Sequence, residues 1–435
     1  MIQPSAAPFG ASRQTITRTV SRDSIGTKLT GEEIGCTLLF SCLTFNGIPP
    51  MAALLGGGRL AVDAFDGMFC LGTVLLFILN RARIHWEFRT IRSSFLFLCI
   101  VVASPLWGNL GYRNALVPVA TSVCMFLYTC FIADRLSLAD LSRMLVWSLT
   151  ILLAASIVVS VFLPRYGIDS GGLDPSNAGA WQGVFAQKNM LGTAVAIATA
   201  AALGLKPHDS LDRVWRWSLF VLIAICAVKS QSRETWVAIA FLLVFSIMMR
   251  TLRTLEPRSR LPIIVFAISA IVLAGVLVYL NLDAVLHLMG RDRTATGRTE
   301  IWAASWGVFL KRPWFGYGLY GLWHTRDAWD VVVRAGWDVT SSHNNYLEVL
   351  LSYGIVGFII YLPIILFSLL YMLRALLNYD LRNLEVLIYV MVVILVFSFS
   401  QPLVMYTPGI GFVLLIYCVC RLEQVERSGF MRLSK

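Results

Sequence analysis

The chain has 435 residues, of which 57% are hydrophobic and only 14% charged, with a formal net charge of +11 and a mean hydropathy of +0.72. A soluble domain needs roughly 25% charged residues to cover its surface, so this composition excludes a soluble enzyme or binding module and specifies an integral membrane protein. The positive charge does not imply a nucleic-acid partner, because Lys and Arg are scattered in short clusters between apolar runs and form no basic face for a polynucleotide; membrane topology and anionic lipid account for that pattern.

The N-terminal stretch to about Lys28 is polar, holds four basic residues and has no apolar core. It is not a cleavable signal peptide, and the first hydrophobic run is expected to serve as an uncleaved signal anchor. Twelve apolar runs follow, near 34–55, 60–79, 93–110, 115–133, 144–163, 189–205, 217–229, 235–249, 262–281, 346–373, 385–401 and 407–421. A chain of this length has room for about a dozen spans of ~20 residues. The seventh and eighth are short for ~30 Å of hydrocarbon and predict a tight hairpin turning at "KSQSRE". All nine cysteines fall in or beside apolar runs, which predicts neither a disulfide framework nor a cysteine-based metal site.

Loop charge sets the expected orientation. "NRARIHWEFRTIR" (80–92) and "RTLRTLEPRSR" (250–260) each carry four arginines. With both terminal tails they fall on one side of a twelve-span layout. That side holds 23 of the 36 lysines and arginines and the other side 13, so both termini are expected in the cytoplasm. The domains are then a polar cytoplasmic tail (1–33), transmembrane helices one to nine (34–281), an outward loop with an amphipathic helix (282–345), transmembrane helices ten to twelve (346–421) and a cytoplasmic tail (422–435).

The outward positive charges then require a reason of their own. They include Arg165, Lys188, Lys229, Arg233, Arg291, Arg293, Arg298, Lys311, Arg312, Arg326 and Arg334. Insertion does not call for them, and an anion on the far side is the economical explanation. Within the long loop, "GRTEIWAASWGVFLKRP" places Trp302, Trp306, Phe309 and Leu310 on one helical stripe that ends at Pro313, which predicts a helix lying across the membrane surface. The glycine-punctuated "WFGYGLYGLWH" follows as an aromatic loop.

Four polar positions stand out at the outer ends of predicted helices. Lys188 and Asn189, in "GVFAQKNMLG", open the sixth span, where a lysine opposes the helix dipole unless an anion lies between them; the alternative is a lysine snorkelling to lipid headgroups. Arg233, in "KSQSRETW", sits at the hairpin turn, where a charge needs a partner. Glu234 is the structural alternative, but adjacent helix positions point in different directions. Arg298 opens the amphipathic helix with the same anion-facing geometry, or is an ordinary solvated arginine. In "SSHNNYLEVLLSYG", Ser341 or Ser342 can cap the tenth span and place His343 in its first turn. There the helix N-terminus disfavours imidazolium and leaves a neutral ring able to act as a general base; an interfacial histidine bonded to the cap is the alternative. The aromatic loop residues, Tyr317 among them, offer either sugar-stacking platforms or an interfacial belt.

The absences narrow the chemistry. There is no GxxxxGK[ST] loop, no Asp-x-Asp pair, no HExxH and no CxxC, so chemistry without metal, cofactor or nucleotide is expected. Lys188, Arg233 and Arg298 beside His343 suit a lipid pyrophosphate, held by bidentate arginine contacts and a lysine point charge.

"GVFAQKNMLG", "QSRETW", "GRTEIW…RPWFGYG" and "SSHNNYLEVLLSYGIVG" resemble, in order and spacing, the motifs of the O-antigen ligase and polysaccharide polymerase superfamily over roughly residues 180–360. The resemblance implies an all-α integral membrane protein of the C-type glycosyltransferase-like kind, with about twelve transmembrane helices and one long periplasmic loop between helices nine and ten, in the bacterial inner membrane. It implies an inverting, metal-independent transfer of a glycan from an undecaprenyl-pyrophosphate donor to an acceptor hydroxyl in the periplasm. His343 takes the proton in that scheme, and Lys188, Arg233 and Arg298 hold and stabilise the pyrophosphate. Asn189, Asn344, Asn345, Tyr317 and Trp302 are the candidate substrate contacts. Several relatives place Arg where this chain has Lys188, which reduces its contact to a point charge. The acceptor is another lipid-linked saccharide for a polymerase or lipid A–core for a ligase, and "WQGVFAQKNMLG" looks more like the exopolysaccharide-polymerase branch. Membrane lipid and a chain-length regulator complete the expected partners. A twelve-span secondary transporter is the alternative from another class, but it calls for related halves and charges at mid-membrane.

Overall fold

A backbone in hydrocarbon must satisfy its own N–H and C=O groups, so long apolar runs fold as helices. The computed structural model describes residues 30–45, 58–171, 177–280, 298–336, 339–403 and 409–428, and a helix lies along each of the twelve apolar runs. The first nine are α1 (Gly31–Phe45), α2 (Gly58–Leu79), α3 (Arg89–Ala103), α4 (Tyr112–Arg135), α5 (Leu138–Phe162), α6 (Lys188–Gly204), α7 (Ser210–Lys229), α8 (Arg233–Thr254) and α9 (Pro257–Leu280). Two helices of the long loop come next, α10 (Arg298–Lys311) and α11 (Arg326–Ala335). The last three are α12 (Asn345–Asn378), α13 (Glu385–Phe397) and α14 (Ile410–Ser428). Among the described residues six stretches are long and apolar enough to cross a membrane by length and composition alone: Arg89–Leu106, Asn114–Arg135, Leu138–Phe162, Arg233–Thr254, Pro257–Ala274 and Asn345–Asn378. The polar N-terminal tail, the segment 281–297 with Arg291 and Arg293, Trp337 and the last residues of the C-terminal tail lie outside the described residues.

The seventh and eighth helices differ from expectation. They run 20 and 22 residues, longer than the apolar runs that announced them, because each continues through polar residues at the same end of the bundle. The chain reverses between Lys229 and Arg233 as predicted, yet α8 packs mainly on α6, α7 packs on both α5 and α6, and the two pack little on each other.

The bundle is centred on α6 and α13, which are apolar around their whole circumference and buried on nearly all sides, the pattern of a helix enclosed by others. Alanine and glycine in "LGTAVAIATAAALG" let neighbouring backbones come close, the usual device where apolar burial gives no advantage over lipid. A Cβ on Gly204 would lie 2.6 Å from the Val386 Cα, and one on Gly192 would lie 2.1 Å from Thr235 Oγ1 and 2.9 Å from Ser232 Oγ. Threonine is stiff at χ1, so Gly192→Ala should cost about 1–3 kcal/mol by overpacking. The matching measurement is thermal unfolding in detergent, where adding Thr235→Ala should restore much of the loss.

Long-range polar contacts separate into two ends of the bundle. At one end His85 bonds Asp134 at 2.7 Å, the Arg89 backbone N–H donates to Glu423 at 2.9 Å, and Arg143 pairs with Asp212 at 3.1 Å and Arg253 with Glu385 at 2.7 Å. Arg260, buried there, donates to the carbonyls of Leu376 and Tyr379 at the α12 C-terminus, where a cation opposes the helix dipole favourably. The N-termini of α6, α8 and α12 lie at the opposite end.

That second end carries a folded cap. Ile301, Val308 and Phe309 of α10, Tyr317 and Leu322 of the aromatic loop, Val331 of α11, and Leu347 and Leu351 of α12 form an apolar cluster of their own. The predicted stripe on α10 is divided: Phe309 turns inward, Trp306 and Leu310 are exposed, and Trp302 is half-buried. Packing on two sides explains the difference, since α10 meets both α11 and α12. The loop "RPWFGYG" docks by its backbone into a break in α12: Ile355 N–H donates to Pro313 at 2.8 Å, and Tyr317 and Gly318 N–H donate to Leu351 and Ser352 at 2.9 and 2.8 Å. Gly354 makes the break possible with φ +66°, and a Cβ there would lie 2.2 Å from the Trp314 carbonyl oxygen.

Candidate active site

Two helix N-termini stand side by side at the capped end. Ser232, just ahead of α8, donates from Oγ to Asn189 Oδ1 of α6 at 3.4 Å, and the Gly192 contact keeps the helices close. Neither helix has a side-chain cap hydrogen bond, and each begins with a cation, Lys188 in α6 and Arg233 in α8. First-turn N–H groups and two cations in one place favour an anion. Lys188 is half-buried and Arg233 exposed.

Glu234 joins this pair to the rest of the site. Its carboxylate is the ion-pair partner of Arg298, the first residue of α10. The other carboxylate oxygen accepts from Ser400 Oγ at 3.1 Å and from Gln401 Nε2 at 3.4 Å. Gln401 is buried and hydrogen-bonds the His343 side chain. Arg298, Glu234, Gln401 and His343 therefore form one connected set, with Arg233 adjacent in the chain and Asn189 reached through Ser232. The predicted four residues converge at one end of the bundle, although Arg298 has an internal carboxylate partner.

His343 does not lie in the first turn of α12. Asn344 is the N-cap, its Oδ1 accepting from the Tyr346 and Leu347 N–H groups at 3.0 and 3.1 Å. His343 precedes the cap with φ +50°, an uncommon conformation for a residue with a side chain. Ser342 serves another purpose: its N–H and Oγ donate to Glu348 at 2.8 and 2.7 Å, and Trp323 Nε1 donates to the same carboxylate at 2.6 Å. Trp302 Nε1 donates to the Ser342 carbonyl at 3.0 Å. The loop also docks on the end of α13 through Asn345 N–H to the Ser398 carbonyl at 2.8 Å and Asn344 Nδ2 to the Phe399 carbonyl at 3.4 Å.

These contacts change the roles of several expected substrate-binding residues. Asn344 is spent on capping. Asn345 is fully buried and donates from Nδ2 to the Tyr361 hydroxyl at 3.1 Å. Trp302 supports the His343 loop. Tyr317 is fully buried, donates to Asp327 at 2.8 Å and lies under the Arg312 guanidinium at 4.7 Å, so its ring offers no face to a sugar. Each fixes the scaffold that aims His343.

His343 is only 5% exposed. Burial, with a contribution from the nearby Arg298 charge, pushes its pKa down to about 4, and the Gln401 hydrogen bond acts weakly the other way. Burial replaces the helix dipole as the main cause of the neutral ring. A base held this way is deprotonated throughout the neutral range, and the arrival of an anion beside Arg298 offsets the charge that depresses it. The acid limb of kcat/KM, which reports the free protein, should therefore fall near pH 4 and well below 6.5. The acid limb of kcat, which reports the loaded protein, should lie at higher pH. Initial rates across pH check both, and coincident limbs near 6.5 would contradict the assignment.

Glu234, Gln401 and Glu348 were not among the expected site residues. A carboxylate in the first turn of a nearly uncharged membrane helix is a functional signal in its own right, and Glu234 carried that signal beside Arg233. Gln401 carried none, because its importance arises from residues 58 and 167 positions away.

Comparison with known proteins agrees with the motif resemblance. Residues 218–362 match the family model described as O-antigen ligase, a segment that includes Arg233, Arg298 and His343. The chain is 25% identical over 342 residues to the exopolysaccharide production protein ExoQ of Rhizobium meliloti (strain 1021), covering 74% of each chain. The chain is thus a multi-pass membrane protein similar to O-antigen ligases and polysaccharide polymerases.

Proposed function

We propose that this protein is a membrane glycosyltransferase that polymerises exopolysaccharide or O-antigen repeat units on the periplasmic face of the bacterial inner membrane, from an undecaprenyl-pyrophosphate-linked donor. The supporting observation is the joining of Arg298 to a buried neutral His343 through Glu234 and Gln401, beside the paired helix starts that carry Lys188 and Arg233. The loop charges support the outward placement, with the more basic, opposite end of the bundle facing the cytoplasm in this reading.

In this reading the polyprenyl chain lies among the apolar helices and the diphosphate meets the cations. The acceptor hydroxyl attacks the anomeric carbon on the face opposite the diphosphate, which inverts the configuration. The new C–O bond forms as the bond to the diphosphate breaks, and the diphosphate departs with both electrons of that bond. His343 takes the hydroxyl proton. Lys188, Arg233 and Arg298 stabilise the charge growing on the leaving group, commonly the largest single contribution to such a rate. Arg298 can meet the donor by exchanging Glu234 for a phosphate oxygen, so the carboxylate holds the place of the anion when no donor is present.

The similarity to an exopolysaccharide production protein favours a second lipid-linked repeat unit as acceptor over lipid A–core. Purified protein given only lipid-linked repeat units tests this. Chain growth with release of polyprenyl diphosphate is the expected result. Transfer that requires added lipid A–core would indicate a ligase, and movement of the glycan across proteoliposomes with no bond formed would indicate a carrier.

A further inference from the structure

We propose that the basic end of the bundle holds a binding site for an anionic phospholipid, its phosphate among Lys206, Arg250 and Arg382 and its acyl chains along α7 and α8. The site lies at the opposite end from the candidate active site and does not rest on the glycosyltransferase reading.

Helix packing brings the cations together. Gly204 ends α6 against the Val386 Cα of α13, where a Cβ would lie only 2.6 Å away. That close approach sets the α6–α7 connection beside the start of α13, and Lys206 Nζ donates to Asn383 Oδ1 at 3.0 Å. Arg382 is next to Asn383 in the chain. The last turn of α8 reaches the same place, Arg253 pairing with Glu385 at 2.7 Å, and Arg250 lies almost one turn earlier on α8. Arg216 of α7 donates to the Leu205 carbonyl at 3.3 Å. Cations from four segments of the chain thus gather around the end of α6.

The nearby carboxylates do not neutralise them. Glu385 is taken by Arg253, and Asp380 accepts from the Arg382 backbone N–H at 3.0 Å, capping the short turn Leu381–Asn383. Among the described residues Lys206, Arg250 and Arg382 have no ion-pair partner, and all three are exposed. Partial burial and the Arg253 and Arg382 charges push the Lys206 pKa down, while Glu385 and Asp380 act the other way. An anion arriving there meets a surplus of positive charge.

What lies beside the cations selects a lipid over a soluble anion. On α8, Arg250 shares a face with Ile247 and Leu243; on α7, Arg213 shares one with Trp217 and Val221. These four apolar residues are between 48% and 63% exposed. Both helices pack on α6, so the two stripes run from one cation cluster into the hydrocarbon. Trp217 also lies 5.9 Å from the Arg216 guanidinium, the setting of an interfacial tryptophan. A free phosphate or an acidic protein would use the cations alone. A phospholipid uses both features, its phosphate at the interface and its chains on the stripes.

The full chain in neutral detergent, titrated with phosphatidylglycerol or phosphatidylcholine and read by native mass spectrometry, tests the site. Phosphatidylglycerol should bind at lower concentration, and its advantage should shrink as ionic strength rises. Lys206→Gln, Arg250→Gln and Arg382→Gln combined should weaken phosphatidylglycerol binding about 100-fold, since each cation beside an anionic lipid contributes about fivefold. Arg81→Gln, Arg83→Gln and Arg92→Gln combined remove the same charge from exposed positions at that end of the bundle and should leave the binding unchanged. Equal binding of the two lipids by the wild-type protein would overturn the proposal, as would equal losses in the two triple variants. Inorganic phosphate at the same concentration should not displace the lipid, and full displacement would overturn the acyl track and the proposal with it. The wild-type comparisons need no variant, so they decide the matter even where the first triple variant does not fold.

Discussion

His343→Ala is expected to abolish glycan transfer, with kcat lowered about 100- to 10,000-fold, the usual contribution of a general base, while the protein still folds and binds its donor. The geometry explains why the loss should fall on kcat. His343 sits outside the α12 helix, bonded through Gln401 to Glu234 and not to the cations that would hold a diphosphate. Its loop is fixed by Asn344, Ser342, Glu348 and Trp302, none of which needs the imidazole for its own contacts. Donor binding measured with the labelled lipid, beside single-turnover rates, separates the two effects. Near-normal turnover in this variant would remove His343 from the base role.

Arg233→Ala should weaken donor binding as well as rate. Arg233 is exposed at the start of α8 and lies beside the N-terminus of α6, so its guanidinium is available to an incoming anion. Hydrogen bonds to charged groups contribute about 1.5–3 kcal/mol each, which corresponds to about 10- to 100-fold in donor affinity. Arg298→Ala differs in kind, because it also strips the partner from Glu234 and disturbs the Gln401 contact. Arg298→Ala should therefore depress kcat beyond its effect on affinity, whereas the effects of Arg233→Ala should be shared between the two. A purely kinetic effect of Arg233→Ala would argue against its contact in the ground state.

The helices of this protein are largely legible in its sequence, because backbone in lipid has few alternatives and apolar runs mark where it goes. Their ends are less legible. α7 begins at Ser210 and α8 continues to Thr254 because capping groups and ion pairs at the basic end carry the helices past their apolar stretches, as Asp209 does at the α7 N-terminus by accepting from Asp212 N–H at 2.7 Å. The cap of α12 shows a different difficulty. Ser341, Ser342 and Asn344 are about equally good N-caps, and the choice of Asn344 depends on Glu348 claiming Ser342 and on the backbone of His343 turning left-handed. The cation cluster was legible residue by residue, since each member opens a helix against the dipole. Its wiring was not, because Glu234 is adjacent to Arg233 in the chain yet pairs with Arg298, 64 positions away.

The aromatic residues taught the reverse lesson. Tyr317 looks like a sugar platform in a loop rich in glycine and Trp302 like a substrate contact on an amphipathic helix, and the fold turns both into supports. A tyrosine whose hydroxyl reaches Asp327 while its backbone joins Leu351 ties the cap to α12, and that tie is invisible to any reading of local pattern.

The most direct test of the central claim is photo-crosslinking of a polyprenyl diphosphate carrying a reactive group near its head, followed by mass-spectrometric mapping on the reconstituted protein. The account predicts adducts clustered at the starts of α6, α8 and α10, around Lys188, Arg233 and Arg298, and competed by unlabelled diphosphate but poorly by the monophosphate. Adducts confined to the opposite end of the bundle, near Arg143 or Arg253, would contradict it.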